Sequence, residues 1–165
     1  MNNITINSNS NDIKEMEKLF PRAPLKIIAM EGCKELGQKV NDYIVNFRQS
    51  SYREELKSPM YATYLQDNYL VDAHCPRFGS GEAKGVLNES VRGKDLFIMT
   101  DVCNYSLTYS VNGYVNHMSP DDHYQDLKRM IAAANGKARR ITVIMPFLYE
   151  SRQHRRTARE SMDCA

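Results

Sequence analysis

Ile141-Thr142-Val143-Ile144-Met145-Pro146-Phe147-Leu148-Tyr149-Glu150-Ser151-Arg152-Gln153-His154-Arg155-Arg156 joins an apolar, β-branched run to a proline, an aromatic and a cluster of arginines. The run has the composition of a buried strand. The proline ends it, and the arginines follow as a cationic loop at its carboxyl end. Open α/β sheets hold ligands at that edge. Each guanidinium offers a flat fork of donors that matches phosphate oxygens. The plain alternative is a solvated basic surface after a core strand.

Charge is concentrated in this region. The chain has 165 residues, a net charge of +2, 42% hydrophobic and 25% charged residues, which is the composition of one globular domain rather than a nucleic-acid-binding polycation. From Lys137 to Arg159, seven cations face Glu150 alone, a local charge of +6. An anionic ligand is expected to be met here.

Working outward, Leu96-Phe97-Ile98-Met99-Thr100 reads as a second buried strand and Leu25-Lys26-Ile27-Ile28-Ala29-Met30 as the first in the chain. A helix is expected from about Lys34 to Phe47, with Leu36, Val40, Tyr43, Ile44 and Phe47 on its inner stripe. Ser119-Pro120-Asp121-Asp122 starts another, with a capping hydroxyl, a proline at the first position and acids at the positive dipole end. Leu127, Met130, Ile131 and Ala134 form its stripe, and Asn135-Gly136 stops it.

Between them, Val71 to Phe78 and Lys84 to Glu89 read as strands around the turn Gly79-Ser80-Gly81-Glu82, an antiparallel excursion. Residues 1–20 are expected to be a disordered or partly helical leader, and 48–70 a helical insert or long loop. The tyrosines of that insert are read as packing or subunit contacts. Cys103 to Met118 reads as a polar connection. The resulting order, β-α-insert-β-β-β-α-β, argues an α/β domain with a mostly parallel sheet flanked by helices. Residues 157–165 are helix-compatible, and the last strand then lacks a covering helix, so the chain reads as the N-terminal piece of a longer protein.

Other chemistry is poorly supported. Cys33, Cys75, Cys103 and Cys164 form no CxxC pair, and His74, His117, His123 and His154 are dispersed, so zinc spacing is absent. The cysteines read as free thiols, most of them packing as small hydrophobes. On a strand, His74 and Cys75 point to opposite faces, which argues against a thiol nucleophile. Gly79-Ser80-Gly81 lacks the Gly-Lys-Ser/Thr of a Walker loop. Asp121-Asp122 is better explained as a helix start than as a metal pair. No signal peptide and no membrane-spanning run is visible, and a cytoplasmic protein is expected.

Three stretches in order carry a resemblance. They are Arg77-Phe78-Gly79-Ser80-Gly81-Glu82; Asn88-Glu89-Ser90-Val91-Arg92-Gly93-Lys94-Asp95-Leu96-Phe97-Ile98; and Ile144 to Tyr149 with Arg152-Gln153-His154-Arg155. They resemble the R-F-x-D-G-E, N-E-x-V-R-G-x-D-x-F-I and P-Y-x-x-Y-A-R-Q-D-R-K patterns of the amino-terminal half of ribose-phosphate pyrophosphokinase. The resemblance covers about residues 25–160, interrupted by extra residues near 48–70 and 104–118.

The resemblance implies a phosphoribosyltransferase-like domain in residues 21–165, with a second domain absent. It implies an enzyme that transfers a pyrophosphoryl group from Mg-ATP to ribose 5-phosphate, a homo-oligomer, and an ATP or ADP site shared between subunits. Phe78, Ser80 and Glu82 would face the adenine; Arg152, Gln153, His154, Arg155 and Arg156 would hold the nucleotide from the neighbouring subunit. The departures are Ser80 and His154 where the family has aspartates, Arg156 where it has lysine, and one extra residue within Glu150-Ser151. The family's Mg2+ ligand and catalytic loop have no counterpart in these residues, so no catalytic residue is assigned and the 165 residues alone are expected to be inactive. A non-catalytic regulatory or assembly paralogue and an unrelated anion-binding α/β domain are the competing readings. No nucleic-acid or membrane partner is expected.

Overall fold

The computed structural model describes residues 23–50 and 64–162. The expected leader, the middle of the 48–70 insert with Tyr52 and Tyr61, and Cys164 lie outside them. Three parallel strands form the central sheet: β1 (Leu25–Ala29), β4 (Asp95–Met99) and β7 (Arg140–Ile144), in the order β1-β4-β7. Helix α1 (Lys34–Ser50), entered through a short 3-10 turn, packs on one face, and α2 (Pro120–Ala134) on the other. The α/β class with a parallel sheet is as the sequence implied.

Strand alternation distributes the core. Ile28, Leu96 and Ile98, essentially inaccessible to solvent, pack with Leu127, Met130 and Ala134 of α2. Ile27 and Met99 point the other way, toward Val40, Ile44 and Val45 of α1. Each such burial is worth roughly 1.5–3 kcal/mol relative to exposure. Leu70 makes a parallel bridge to Ile27 on the free side of β1, and Tyr69 is fully buried, its N–H donating to Asn41 Oδ1 at 2.8 Å.

Two helix stripes need correction. On α1, Leu36, Tyr43 and Phe47 are exposed, while Gly37 and Asn41 are the buried residues. The helix turns toward β1 because Asn41 must satisfy the Tyr69 backbone; Tyr43 and Phe47 stack on each other outside, with centroids 6.3 Å apart. On α2, Ile131 lies at the solvent edge while Leu127, Met130 and Ala134 are buried. The start of α2 is as expected, with Ser119 and Asp122 forming a reciprocal capping box, and Asn135 stops it in the left-handed conformation.

β7 is not the buried strand its composition suggests. Among the described residues it sits at the sheet edge, paired only with β4, and leaves Val143 and Ile144 more than a third exposed. After it, residues 157–162 form no helix.

The excursion is present but short: β2 (Ala73–His74) pairs antiparallel with β3 (Val86–Leu87), and a bridge joins Arg77 to Ala83. The larger correction falls on Cys103 to Met118. This connection contains an antiparallel hairpin, β5 (Thr108–Val111) and β6 (Tyr114–His117), closed by Asn112-Gly113 with φ of 51° and 83°. Two positive φ values make the primed turn that Asn-Gly favours, so the dipeptide was a readable hairpin signal.

Candidate functional site

The turn between Arg77 and Ala83 is closed by two backbone bonds. Phe78 N–H donates to the Glu82 carbonyl at 2.7 Å, and Gly81 N–H to the Phe78 carbonyl at 2.9 Å. Gly81 adopts φ +91°, which any side chain would strain. The closure leaves Phe78 half exposed, with Lys84 Nζ 6.0 Å from its ring centre. Ser80 Oγ donates to Glu82 Oε2 at 3.0 Å. The serine that replaces an aspartate thus orients the neighbouring carboxylate and leaves Oε1 available as an acceptor.

Arg77, which precedes the turn, is its half-buried anchor. Nη1 donates to the Gly81 carbonyl at 3.3 Å and Nη2 to Asp126 Oδ2 at 2.8 Å. Arg129 reaches Oδ1 of the same carboxylate at 2.7 Å. Asp126 is buried on α2, and its two cations neutralise it there. Cys75 lies against this network; burial, and then the Asp126 carboxylate, push its thiol up to about 11. A thiol so raised is a poor nucleophile at neutral pH. His74 is exposed.

The arginine segment is built differently. It turns at Glu150, whose φ is +58°, and it is pinned by Tyr149. The Tyr149 ring stacks on Tyr124 of α2 at 4.2 Å, and its hydroxyl donates to Asp121 Oδ1 at 2.5 Å. That bond first, and partial burial second, raise the Tyr149 pKa above its ordinary value. Arg152 lies 5.9 Å over the Phe147 ring. Arg152, His154, Arg155 and Arg156 are exposed, and Gln153 is half-buried. Among the described residues no carboxylate forms an ion pair with Arg152, Arg155 or Arg156. These cations are therefore free to meet an external anion.

Beside Arg152 lies a hollow of about 570 Å³ lined by Val102, Cys103, Tyr105, Pro120, Asp121, Phe147, Tyr149 and Glu150. Sequence reasoning missed Tyr105, Asp121 and Tyr149 as its walls. The tyrosine of the P-F-L-Y run was the available signal for Tyr149; nothing local marked Tyr105. Cys103 is exposed here, so it is not among the thiols that pack as small hydrophobes. Cys33 is buried as expected, and that burial raises its pKa. No residue from 78 to 82 lines this hollow.

A family model described as the N-terminal domain of ribose phosphate pyrophosphokinase matches residues 25–165. The chain belongs to that family. Similar curated proteins include ribose-phosphate pyrophosphokinases of Vibrio parahaemolyticus (34% identical over 103 residues), Maricaulis maris (33% over 97) and Haemophilus influenzae (33% over 88). The matched stretches cover 60%, 58% and 53% of this chain and 28%, 26% and 24% of the relatives. The chain thus matches about a quarter of the length of these relatives. Among the described residues no helix is long and apolar enough to cross a membrane.

Proposed function

We propose that this chain is the ATP-binding and subunit-contact half of a ribose-phosphate pyrophosphokinase, which transfers a pyrophosphoryl group from Mg-ATP to ribose 5-phosphate. One observation carries the reading. In a domain of this family, an outward-facing ring and carboxylate, Phe78 and Glu82, coexist with an arginine segment that has no counter-ion among the described residues. The ring can stack on adenine, and Glu82 Oε1 can accept from its exocyclic amine. Arg152 offers a guanidinium plane to the other face of the base, with Arg155 and Arg156 directed to the phosphates. In this reading, as the family resemblance implies, the complete site pairs the turn of one subunit with the arginine segment of another. A homo-oligomer follows from that pairing.

Phosphoryl transfer depends on positioning and on neutralising developing charge. Here the arginines supply charge, and the turn supplies orientation. Among the described residues no group of three or more His, Cys, Asp or Glu converges as a metal site. In this reading Mg2+ arrives bound to the nucleotide, and no step is assigned to a protein-held metal. The isolated chain binds nucleotide without turning over ribose 5-phosphate.

Calorimetric titration of the chain with ATP tests this. Loss of a stacking partner in Phe78→Ala, or of the guanidinium in Arg152→Ala, weakens binding by about tenfold or more. Dissociation constants unchanged by both substitutions would refute the reading. A stable oligomer with no nucleotide binding would instead favour a non-catalytic assembly paralogue.

A further inference from the structure

The hairpin β5–β6 interrupts the spacing of the family's motifs, and its position gives it a use. Its root is fixed: Met118 N–H donates to the Leu107 carbonyl at 2.9 Å, His117 Nδ1 lies 2.7 Å from the Tyr105 carbonyl, and Nε2 of buried His123 on α2 lies 2.8 Å from the Asn104 carbonyl. β6 is exposed along its whole length. β5 alternates, with Thr108 and Ser110 outward and Tyr109 and Val111 inward. The inward pair faces the turn. The Tyr109 ring centre lies 4.6 Å from the Arg77 guanidinium carbon. A Cβ built on Gly81 would stand 3.3 Å from Val111 Cγ2 and 3.8 Å from Tyr109 Cε2. A cavity of about 260 Å³ has Thr108 and Tyr109 of the hairpin among its lining residues together with Arg77, His123 and Asp126, so the hairpin covers the anchor of the turn.

We propose that this hairpin is a clamp on the Phe78–Glu82 turn, with Tyr109 as its positioning residue. Tyr109 covers the guanidinium that holds the Gly81 carbonyl, and Val111 covers the glycine itself. Together they press the turn onto α2 and keep Phe78 and Glu82 at a fixed angle to an incoming base. The clamp rests on the geometry alone; its consequence for affinity rests on the nucleotide reading above.

Hydrogen exchange on the full chain tests the clamp, with the wild type, Tyr109→Ala and Tyr109→Phe compared. Tyr109→Ala speeds exchange of the Phe78 and Gly81 amides several-fold and leaves the β4 amides, residues 95–99, unchanged. Tyr109→Phe keeps the ring and restores wild-type exchange. ATP binding weakens by about tenfold in the alanine variant and stays within about twofold in the phenylalanine variant, the size expected for loss or retention of one ring–guanidinium contact. Unchanged exchange in the turn of Tyr109→Ala overturns the clamp, as does an equal rise in β4, which would mean general loosening. If the wild type binds no ATP yet the exchange pattern appears, the clamp stands and the nucleotide reading falls.

Discussion

The turn at Phe78–Glu82 and the segment at Arg152–Arg156 hang from the same helix by opposite means. Asp126 of α2 holds the turn through a buried carboxylate shared by Arg77 and Arg129. Asp121, five residues earlier on α2, holds the arginine segment through the Tyr149 hydroxyl at an exposed site, with the Tyr124 stack beside it. A buried charge network is costly to break because any survivor is left unpaired in low dielectric. An exposed tether competes with water and costs little to lose. The difference is that the turn is held by a charge network inside the fold, while the arginine segment is held by a tether that water can replace.

The comparison breaks most severely at Asp126. Asp126→Ala leaves two arginines without their carboxylate, and a loss of about 3–5 kcal/mol of unfolding free energy is expected from denaturant titration. A loss below about 1 kcal/mol would show that the network is solvated. Next comes Gly85→Ala. A Cβ there would stand 2.6 Å from the Arg129 carbonyl oxygen, backbone that cannot swing aside. The strand carrying the turn must then move off α2, at about 1–3 kcal/mol in the same measurement. Tyr124→Ala removes the ring under Tyr149 and is expected to cost about 0.5–1.5 kcal/mol beyond its lost burial. Exchange should rise at residues 149–153 and stay constant in the turn.

The smallest effect is expected at Tyr149→Phe, which deletes only the bond to Asp121. The melting temperature at neutral pH should barely move. Its pH dependence gives the sign. The folded pKa of Tyr149 is raised, so its contribution is complete below the ordinary tyrosine pKa of about 10 and is lost as pH climbs through the higher folded value. An ultraviolet titration should show a late-ionising tyrosine in the wild type that is missing from the variant. A titration curve that the substitution leaves unchanged would remove the tether from the comparison.

Legibility followed locality. The cap Ser119-Pro120-Asp121-Asp122, the stop Asn135-Gly136 and the strands β1 and β4 were readable because each signal lies within a few residues. The turn at 79–82 was readable for the same reason. The hairpin was missed although Asn112-Gly113 announces it, because its strands, Thr108–Val111 and Tyr114–His117, are polar and pack on a small surface instead of the core. The α1 stripe was misassigned because the rotation of a helix is set by what it meets, here the Tyr69 backbone asking for Asn41, and not by its own periodicity.

By itself, the sequence determined the α/β class, the capped second helix, the Gly-rich turn and the density of positive charge after the last strand. All of these rest on backbone preferences and short-range patterns. Only the tertiary structure decided that β7 is an exposed edge, that Arg77 is spent on Asp126 while Arg152 is not, and that Tyr109 lies over that arginine. Residues 49 and 32 positions apart in the chain make those two contacts with Arg77. Such pairings exist only once the sheet and helix have packed and the low dielectric between them makes each polar group find a partner.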